Sequence, residues 1–142
     1  MDETNAWVAK AAISELITRY AALNDAGDWD GVAALYTDDG RMSRPSAPDD
    51  CIAGRAAILA AFRARPLRAA RHIIANVLVT LNSDTEARAT SQILLFTGVS
   101  AGDGLPVQSA MPLVGTYRDR LMRTPHGWRF LERRGSLDFR AP

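Results

Sequence analysis

Two side chains, Asp25 and His72, are of the types needed for general-base chemistry. The chain has only two histidines, and imidazole is the side chain whose ordinary pKa lies nearest to neutral pH. A carboxylate that holds an imidazole in one tautomer makes it an effective base. The pair is therefore the first candidate for a catalytic site, provided that the fold brings the two side chains together.

Asp25 lies where a carboxylate is locally disfavoured. An apolar stripe at spacings of three and four predicts a helix that Ala26-Gly27 ends. A carboxylate in its last turn faces the negative end of the helix dipole, at a cost of a few tenths to about 1 kcal/mol. A distant partner would explain the residue; the alternative is a cap for the next helix, a role that Asp28 can also fill. The stripe consists of Ile13, Leu16, Ile17, Tyr20 and Asn24.

Helical patterns continue through the first half of the chain and strand patterns fill the second. The expected boundaries in the first half are an N-cap at Asp28, a turn at 38–40, a short strand at 41–43, a loop at 44–53, and a third helix that follows Gly54 and ends before Pro66. The β-rich segments are 71–81, 86–98, 108–122 and 128–139, joined by turns at 82–85 and 124–127 and a glycine-rich connection at 98–106. Pro112 predicts that the third of these strands starts late, bulges or lies at an edge.

The order of these elements indicates the fold class. Helices followed by an antiparallel meander are typical of an α+β domain with the helices on one face of the sheet. We find no internal repeat or linker, so residues 1–142 are predicted to form a single domain.

The alternation along residues 71–81 bears directly on His72. It puts His72, Ile74, Asn76 and Leu78 on one face of the strand, and Ile73 with four other apolar residues on the opposite face. The simple expectation is that the fully apolar face covers the core and that His72 points away from it. A strongly bent sheet could instead bury both faces.

The bulk properties exclude several classes of function. The formal net charge of +1 gives no reason to expect nucleic acid or a membrane as partner. One cysteine excludes an internal disulfide, and the acidic N-terminus and lack of a long apolar run predict a cytoplasmic protein. Neither a phosphate-binding glycine motif nor a metal-binding His/Cys pattern is present. We therefore expect no cofactor and no metal.

Several short motifs, in this order and spacing, resemble one family. They are Arg19-Tyr20, the run from Asp25 to Asp30, Ala33 with Leu35-Tyr36, Asp38-Asp39-Gly40, Gly54-Arg55, Arg71-His72 with Asn76-Val77, Gly115-Thr116-Tyr117, and Gly127-Trp128-Arg129-Phe130 with Arg133. Together they resemble the NTF2-like (cystatin-like) α+β barrel and its SnoaL-like, scytalone dehydratase-like branch. The resemblance implies N-terminal helices packed on a strongly bent antiparallel sheet, with a deep apolar pocket between them.

The resemblance also implies roles for particular residues. Asp25 and His72 match the Asp–His pair of scytalone dehydratase, which is similar to pairs in hexachlorocyclohexane dehydrochlorinase and bile-acid 7α-dehydratase. In the latter two enzymes the positions of Arg133 and Tyr20 carry active-site residues. Asn24 replaces a tyrosine of scytalone dehydratase, and that enzyme's second histidine and a further tyrosine have no counterpart. Scytalone is therefore not the expected substrate.

The sequence thus leads to two functional hypotheses. The first is a cofactor-independent lyase or isomerase that uses Asp25 and His72 on a small, mostly apolar, cyclic molecule, with Arg133 and either Tyr20 or Asn76 stabilising negative charge. Further candidate pocket residues, for which plain core packing is the alternative, are Trp29, Tyr36 and Phe62. The second hypothesis is a non-catalytic binding or assembly module like the small subunit of ring-hydroxylating dioxygenases. In either case we expect a homo-oligomer, a trimer or dimer. The Asp25–His72 distance discriminates between the hypotheses.

Overall fold

The chain folds into two helices, two strands, a third helix and then five strands, an order in which helices and strands are largely segregated as in an α+β fold. The structure, a computed structural model, describes all 142 residues. The elements are α1 (Glu3–Ala26), α2 (Trp29–Ala33), β1 (Tyr36–Arg44), β2 (Ala47–Ala53), α3 (Arg55–Arg63), β3 (Ala69–Leu81), β4 (Glu86–Val99), β5 (Val107–Gln108), β6 (Leu113–Thr124) and β7 (Gly127–Leu137). None of the three helices combines the length and the apolar character that crossing a membrane would need.

All seven strands belong to one strongly curved, unclosed sheet. The strand order is β2-β1-β7-β6-β4-β3, and β5 pairs with the end of β4. Neighbours are antiparallel except β1 and β7, which run parallel. The expectation of a purely antiparallel sheet is therefore wrong at this one pairing. Because most of the chain separates β1 from β7, no hairpin turn fixes their relative direction.

The end of α1 is built as the sequence predicts. Gly27 adopts a left-handed conformation with φ of 70°, and its N–H is donated to the carbonyls of Asn24 and Leu23. Asp28 then caps α2, since its carboxylate accepts the Gly31 N–H at 2.9 Å. The capping role thus belongs to Asp28, and the carboxylate of Asp25 is left for other partners.

The prediction of a loop at residues 44–53 is wrong. Strand β1 extends to Arg44, and β2 pairs with it antiparallel after a short turn through Pro45 and Ser46. Strand β2 lies at the edge of the sheet, where Pro48 can be accommodated because an edge strand leaves one row of backbone groups unpaired. Strand β6 begins immediately after Pro112, so the expected late start is confirmed.

A bulge in β3 changes which face of the strand looks inward. Ala75 is opposite Gln92 and Leu78 is opposite Thr90, so β3 has one residue more than β4 between these pairs. Asn76 takes up the difference with φ of 53°, a left-handed conformation that asparagine tolerates better than most residues. Before the bulge the even-numbered side chains are the more buried ones, and after it the odd-numbered ones are. Uninterrupted alternation is therefore the wrong reading, and His72 points inward.

The core lies between the helices and the concave face of the sheet. The apolar stripe of α1 packs there with residues of α2, α3 and the long strands, and this burial is the main stabilising contribution expected for the fold. Trp29 stacks on Phe62 with ring centroids 5.5 Å apart, so the short α2 is fixed against α3. All five residues of the stripe, Ile13, Leu16, Ile17, Tyr20 and Asn24, are buried.

Candidate active site

The side chains of Asp25 and His72 are in direct contact. His72 Nδ1 lies 2.6 Å from Asp25 Oδ1. The His72 backbone N–H is also donated to the same carboxylate, at 3.2 Å from Oδ1 and 3.0 Å from Oδ2. These contacts fix both the ring and the strand relative to the end of α1. They also give the carboxylate two N–H groups that offset its unfavourable position in the helix dipole.

The contact is shielded from solvent. The side chains of His72 and Asp25 are only 9% and 8% exposed, respectively. Burial lowers the pKa of His72 below its ordinary value; the hydrogen bond and charge of Asp25 oppose this shift, and the charges of Arg68 and Arg133 add to it. The net lowering keeps the imidazole neutral at neutral pH, which is the form able to accept a proton.

A cavity of about 530 Å³ lies beside the pair. Half of its 22 lining residues are hydrophobic, and both Asp25 and His72 are among them. Leu95 pairs with His72 across β3 and β4, and Leu113 pairs with Leu95 across β4 and β6. This row forms an apolar wall that continues from the imidazole, because directly paired residues project from the same face of a sheet. The volume is within the range of small-molecule sites.

Tyr20 reaches the same cavity from α1, five residues before Asp25. Its ring lines the cavity, while its hydroxyl lies 3.1 Å from that of Tyr36 and 3.7 Å from Met42 Sδ. Burial raises the pKa of Tyr20, and the charge of Arg133 opposes the rise. The hydroxyl therefore stays protonated at neutral pH, and in this structure it donates a hydrogen bond to Met42 Sδ, which also lines the cavity.

Arg133 does not line the cavity, contrary to the expectation that it faces the pocket. It is 0% exposed, and its guanidinium lies 3.7 Å from the ring centroid of Tyr117, 4.4 Å from that of Tyr20 and 4.6 Å from that of Phe130. Parity along β7 turns Arg133 into the core, where the tyrosine rings separate it from the cavity. A ligand in the cavity would face Tyr20 and Tyr117 rather than Arg133.

The partner of Arg133 is Asp119, directly opposite on β6. The Arg133 Nε–H donates a hydrogen bond to Asp119 Oδ1, with 3.1 Å between the two atoms. Neither side chain has any exposed surface. Burial raises the pKa of Asp119 to about 6, although Arg133 opposes the rise. The terminal guanidinium nitrogens have no hydrogen-bond partner, so the aromatic rings are their main surroundings.

The remaining predicted site residues divide between cavity and core. Trp29 lines the cavity, whereas Tyr36 and Phe62 do not and are completely buried. For these two, the alternative of core packing describes the structure. Asn76 is exposed at the bulge and lies outside the cavity, so its expected place among the pocket residues is wrong. The inserted residue turns its side chain away from the concave face.

Other lining residues were not predicted from the sequence. They include Tyr117 on β6 and three arginines, Arg44, Arg65 and Arg68. Arg65 and Arg68 flank Pro66-Leu67 between α3 and β3, a connection with no helix or strand pattern. The available sequence signal was the close spacing of arginines in this connection. Only the packing of the connection beside Asp25 brings Arg65 and Arg68 into the cavity wall.

No group of three or more His, Cys, Asp or Glu side chains is arranged to hold a metal ion. The polar groups of the cavity are instead the Asp25–His72 pair, tyrosine hydroxyls, Asn24, serines and the three arginines. This set can exchange a proton at the imidazole, donate hydrogen bonds and bind negative charge.

Helices packed inside a strongly curved, unclosed sheet are the architecture of the NTF2-like, cystatin-like fold. The sequence model of the SnoaL-like domain family matches residues 7–134, and the chain therefore belongs to that family. No functionally curated protein matches the chain.

Solved structures with the same fold cover almost the whole chain. An NTF2-like protein with a cystatin-like fold from Novosphingobium aromaticivorans is 27% identical, with a TM-score of 0.76 over 99% of this chain and 92% of that one. A protein provisionally assigned as a scytalone dehydratase, from the same organism, is 21% identical, with a TM-score of 0.80 over 99% and 94%. A type 2 hexachlorocyclohexane dehydrochlorinase is 15% identical, with a TM-score of 0.82 over 99% and 93%. The last two show the shared fold alone.

Proposed function

We propose that this protein is a cofactor-independent lyase or isomerase in which His72 is the general base. The observation that carries the proposal is the 2.6 Å contact between His72 Nδ1 and Asp25 Oδ1 in the wall of the cavity. Two solved structures with the same fold as this chain are described as a dehydrochlorinase and, provisionally, a dehydratase. Both descriptions denote elimination reactions, which need a base of this kind.

The geometry supports a definite tautomer for His72. Because Asp25 is acceptor-only when ionised, the proton of a neutral imidazole belongs on Nδ1, where the carboxylate can receive it. Nε2 then carries the lone pair, and it forms no hydrogen bond within the protein. Asp25 thus orients the ring and stabilises the imidazolium that forms after proton transfer.

The proposed reaction begins with removal of a carbon-bound proton by Nε2. The electrons of that C–H bond form a new double bond as an adjacent carbon loses its leaving group. If the leaving group is hydroxide, it takes the proton from the imidazolium and departs as water; if it is halide, the proton passes to solvent. In an isomerisation the imidazolium returns the proton to a different carbon. General-base help of this type contributes about 10²–10⁴ in rate.

Tyr20 is the proposed donor to the negative charge that develops. Its side chain lines the cavity, and Arg133 lies behind its ring, with the guanidinium 4.4 Å from the centroid. A cation at that distance makes the phenol hydroxyl a stronger hydrogen-bond donor, because it stabilises the negative charge that develops on the phenol oxygen when the hydroxyl donates. Arg133 would therefore act through Tyr20 rather than by touching the substrate.

A deuterium-exchange screen tests this function. Cyclic ketones, hydroxyketones and halides of a size that fits the cavity are incubated with the protein in D₂O and followed by NMR and mass spectrometry. We expect at least one compound to exchange a carbon-bound proton, shift a double bond or lose water or halide faster than it does with a His72→Gln variant. If no compound in the three classes reacts faster with the wild-type protein, the non-catalytic binding module becomes the better explanation.

We also propose that the outer face of the sheet joins copies of this chain in a dimer or trimer. Ile73 and Leu94 are exposed and directly paired there, next to Val114 on β6. An apolar row across three strands is costly to leave in water. Light scattering on the wild-type chain at micromolar concentration should give a multiple of the monomer mass of 15.4 kDa, and Leu94→Glu should reduce it. A monomeric wild-type protein would refute the assembly.

A further inference from the structure

Three arginines, Arg44, Arg65 and Arg68, make the cavity more positive than proton transfer alone requires. Asp25 is the only acidic residue among the lining residues, and it is already engaged by His72. Arg44 comes from the end of β1, Arg65 from the segment after α3, and Arg68 from the residue before β3. The end of β1 and the connection between α3 and β3 therefore bring three cations to one cavity.

These three arginines have no acidic counterion, whereas seven of the other thirteen arginines of the chain have one. Arg44 Nε is buried without any hydrogen-bond partner. Nη2 of the same side chain donates a hydrogen bond to the Ala61 carbonyl, 3.2 Å away. An N–H that is withdrawn from water and has no acceptor is unfavourable until an acceptor arrives.

The positive charge of Arg65 lies in unfavourable surroundings. Its guanidinium lies 4.2 Å from the centroid of the Phe62 ring, and the side chain is partly buried. Burial lowers the pKa of Arg65, and the nearby charges of Arg44 and Arg68 lower it further. Its own charge also lowers the pKa of Tyr20 and Tyr117, both of which line the cavity. Arg65 lines the same cavity as these two tyrosines.

We infer that Arg44, Arg65 and Arg68 form a subsite for an anionic oxygen group, a carboxylate or a phosphate ester, on the apolar body of the substrate. The inference rests on the proposed function, because it assigns the substrate class of the same cavity. The guanidinium fork matches the oxygens of such groups. The anionic group would lie against the arginines while the apolar body packs on Leu95 and Leu113.

The test compares binding of benzoate, phenyl phosphate and neutral benzamide to the full chain by ligand-observed NMR. We expect at least one anion to bind tenfold or more tightly than benzamide, and the tighter anion identifies the group. The preference should decrease as salt is raised from about 50 mM to about 500 mM. Benzamide that binds as tightly as both anions would overturn the subsite.

Arginine variants assign the preference to particular side chains. In Arg65→Gln the advantage of the anion over benzamide should fall severalfold or disappear, and Arg68→Gln should act in the same direction. Arg63→Gln is the matched control, because Arg63 is exposed, pairs with Asp30 at 2.7 Å and does not line the cavity. Since both test variants remove repulsion between like charges, they should melt no lower than the wild-type protein. An unchanged preference in both test variants would overturn the assignment.

Binding also separates this inference from the proposed reaction. The preference for the anion should persist in a His72→Gln variant, because the arginines are unaltered. A wild-type protein that prefers anions but catalyses nothing would retain the subsite and remove the proposed function. A wild-type protein that catalyses a reaction but does not prefer anions would retain the proposed function and remove the subsite.

Discussion

Asp25→Asn should lower kcat/KM for a true substrate by about 10²–10⁴-fold. Asparagine is nearly isosteric, and its oxygen can still accept the His72 backbone N–H. Its amide group, however, would donate to Nδ1 and so favour the tautomer with the proton on Nε2. The base would then carry its proton on the nitrogen that faces the substrate. His72→Gln should cause at least as large a loss, because no imidazole remains. Steady-state kinetics on both purified variants provides the measurement.

The pH profile separates this mechanism from a general disturbance of the site. In the wild-type protein burial lowers the pKa of His72 below its ordinary value of 6.5, so kcat/KM should rise with pH, inflect below 6.5 and be level at neutral pH. The hydrogen bond and the charge of Asp25 both raise that pKa. Their loss in Asp25→Asn should move the inflection to a still lower pH while the plateau falls.

A matched control is available on the surface. Asp30 is an exposed aspartate that pairs with Arg63 and does not line the cavity, so Asp30→Asn should keep full activity and the wild-type pH profile. Circular dichroism should show that all variants are folded. Full activity in Asp25→Asn, or the same inflection as in the wild-type protein, would remove Asp25 from the mechanism.

Local signals in the sequence are sufficient for the helices. Gly27 and Asp28 mark the end of one helix and the start of the next by backbone conformation and capping, which are effects within a few residues. The Asp25–His72 contact, in contrast, joins residues 47 positions apart. It was predicted only through the family resemblance, because no local rule relates an aspartate at a helix end to a histidine on a distant strand.

The errors came from features that depend on tertiary structure. The inward direction of His72 results from the one-residue bulge at Asn76, and strand alternation alone gave the opposite answer. The position of Arg133 behind the tyrosines depends on how β7 pairs with both β6 and β1. The arginines of the cavity come from two distant segments, the end of β1 and the connection between α3 and β3. Spacing along the chain contains no information on such convergence, which only the packed sheet and helices produce.

Arg133→Met should destabilise the fold by about 3–5 kcal/mol at neutral pH. The substitution removes a cation from among three aromatic rings and leaves the carboxylate of Asp119 completely buried without its partner. A buried charge without a counterion is much more costly than an intact pair. Urea denaturation at several pH values, followed by tryptophan fluorescence, measures the free energy of unfolding.

The pKa of Asp119 determines how the loss of stability in Arg133→Met should change with pH. Burial raises the pKa of Asp119 to about 6 even while Arg133 opposes the rise, so removal of Arg133 should raise it further. Between the ordinary aspartate value of about 4 and that raised value, the folded variant holds a proton that the unfolded chain has lost. The free energy of unfolding contributed by Asp119 therefore decreases as pH rises through this window. The deficit of Arg133→Met relative to the wild-type protein should be larger near about pH 8 than near about pH 5.

The double variant Arg133→Met/Asp119→Asn isolates the carboxylate as the cause. It should recover stability relative to Arg133→Met at the higher pH and gain little at the lower pH, where Asp119 is already neutral. If the deficit of Arg133→Met were the same at both pH values, loss of packing against the aromatic rings would explain it instead. In that case Asp119 and Arg133 would be independent core residues. The pH-dependent outcome would establish them as a coupled pair that holds positive charge behind Tyr20 and Tyr117, where the proposed reaction requires it.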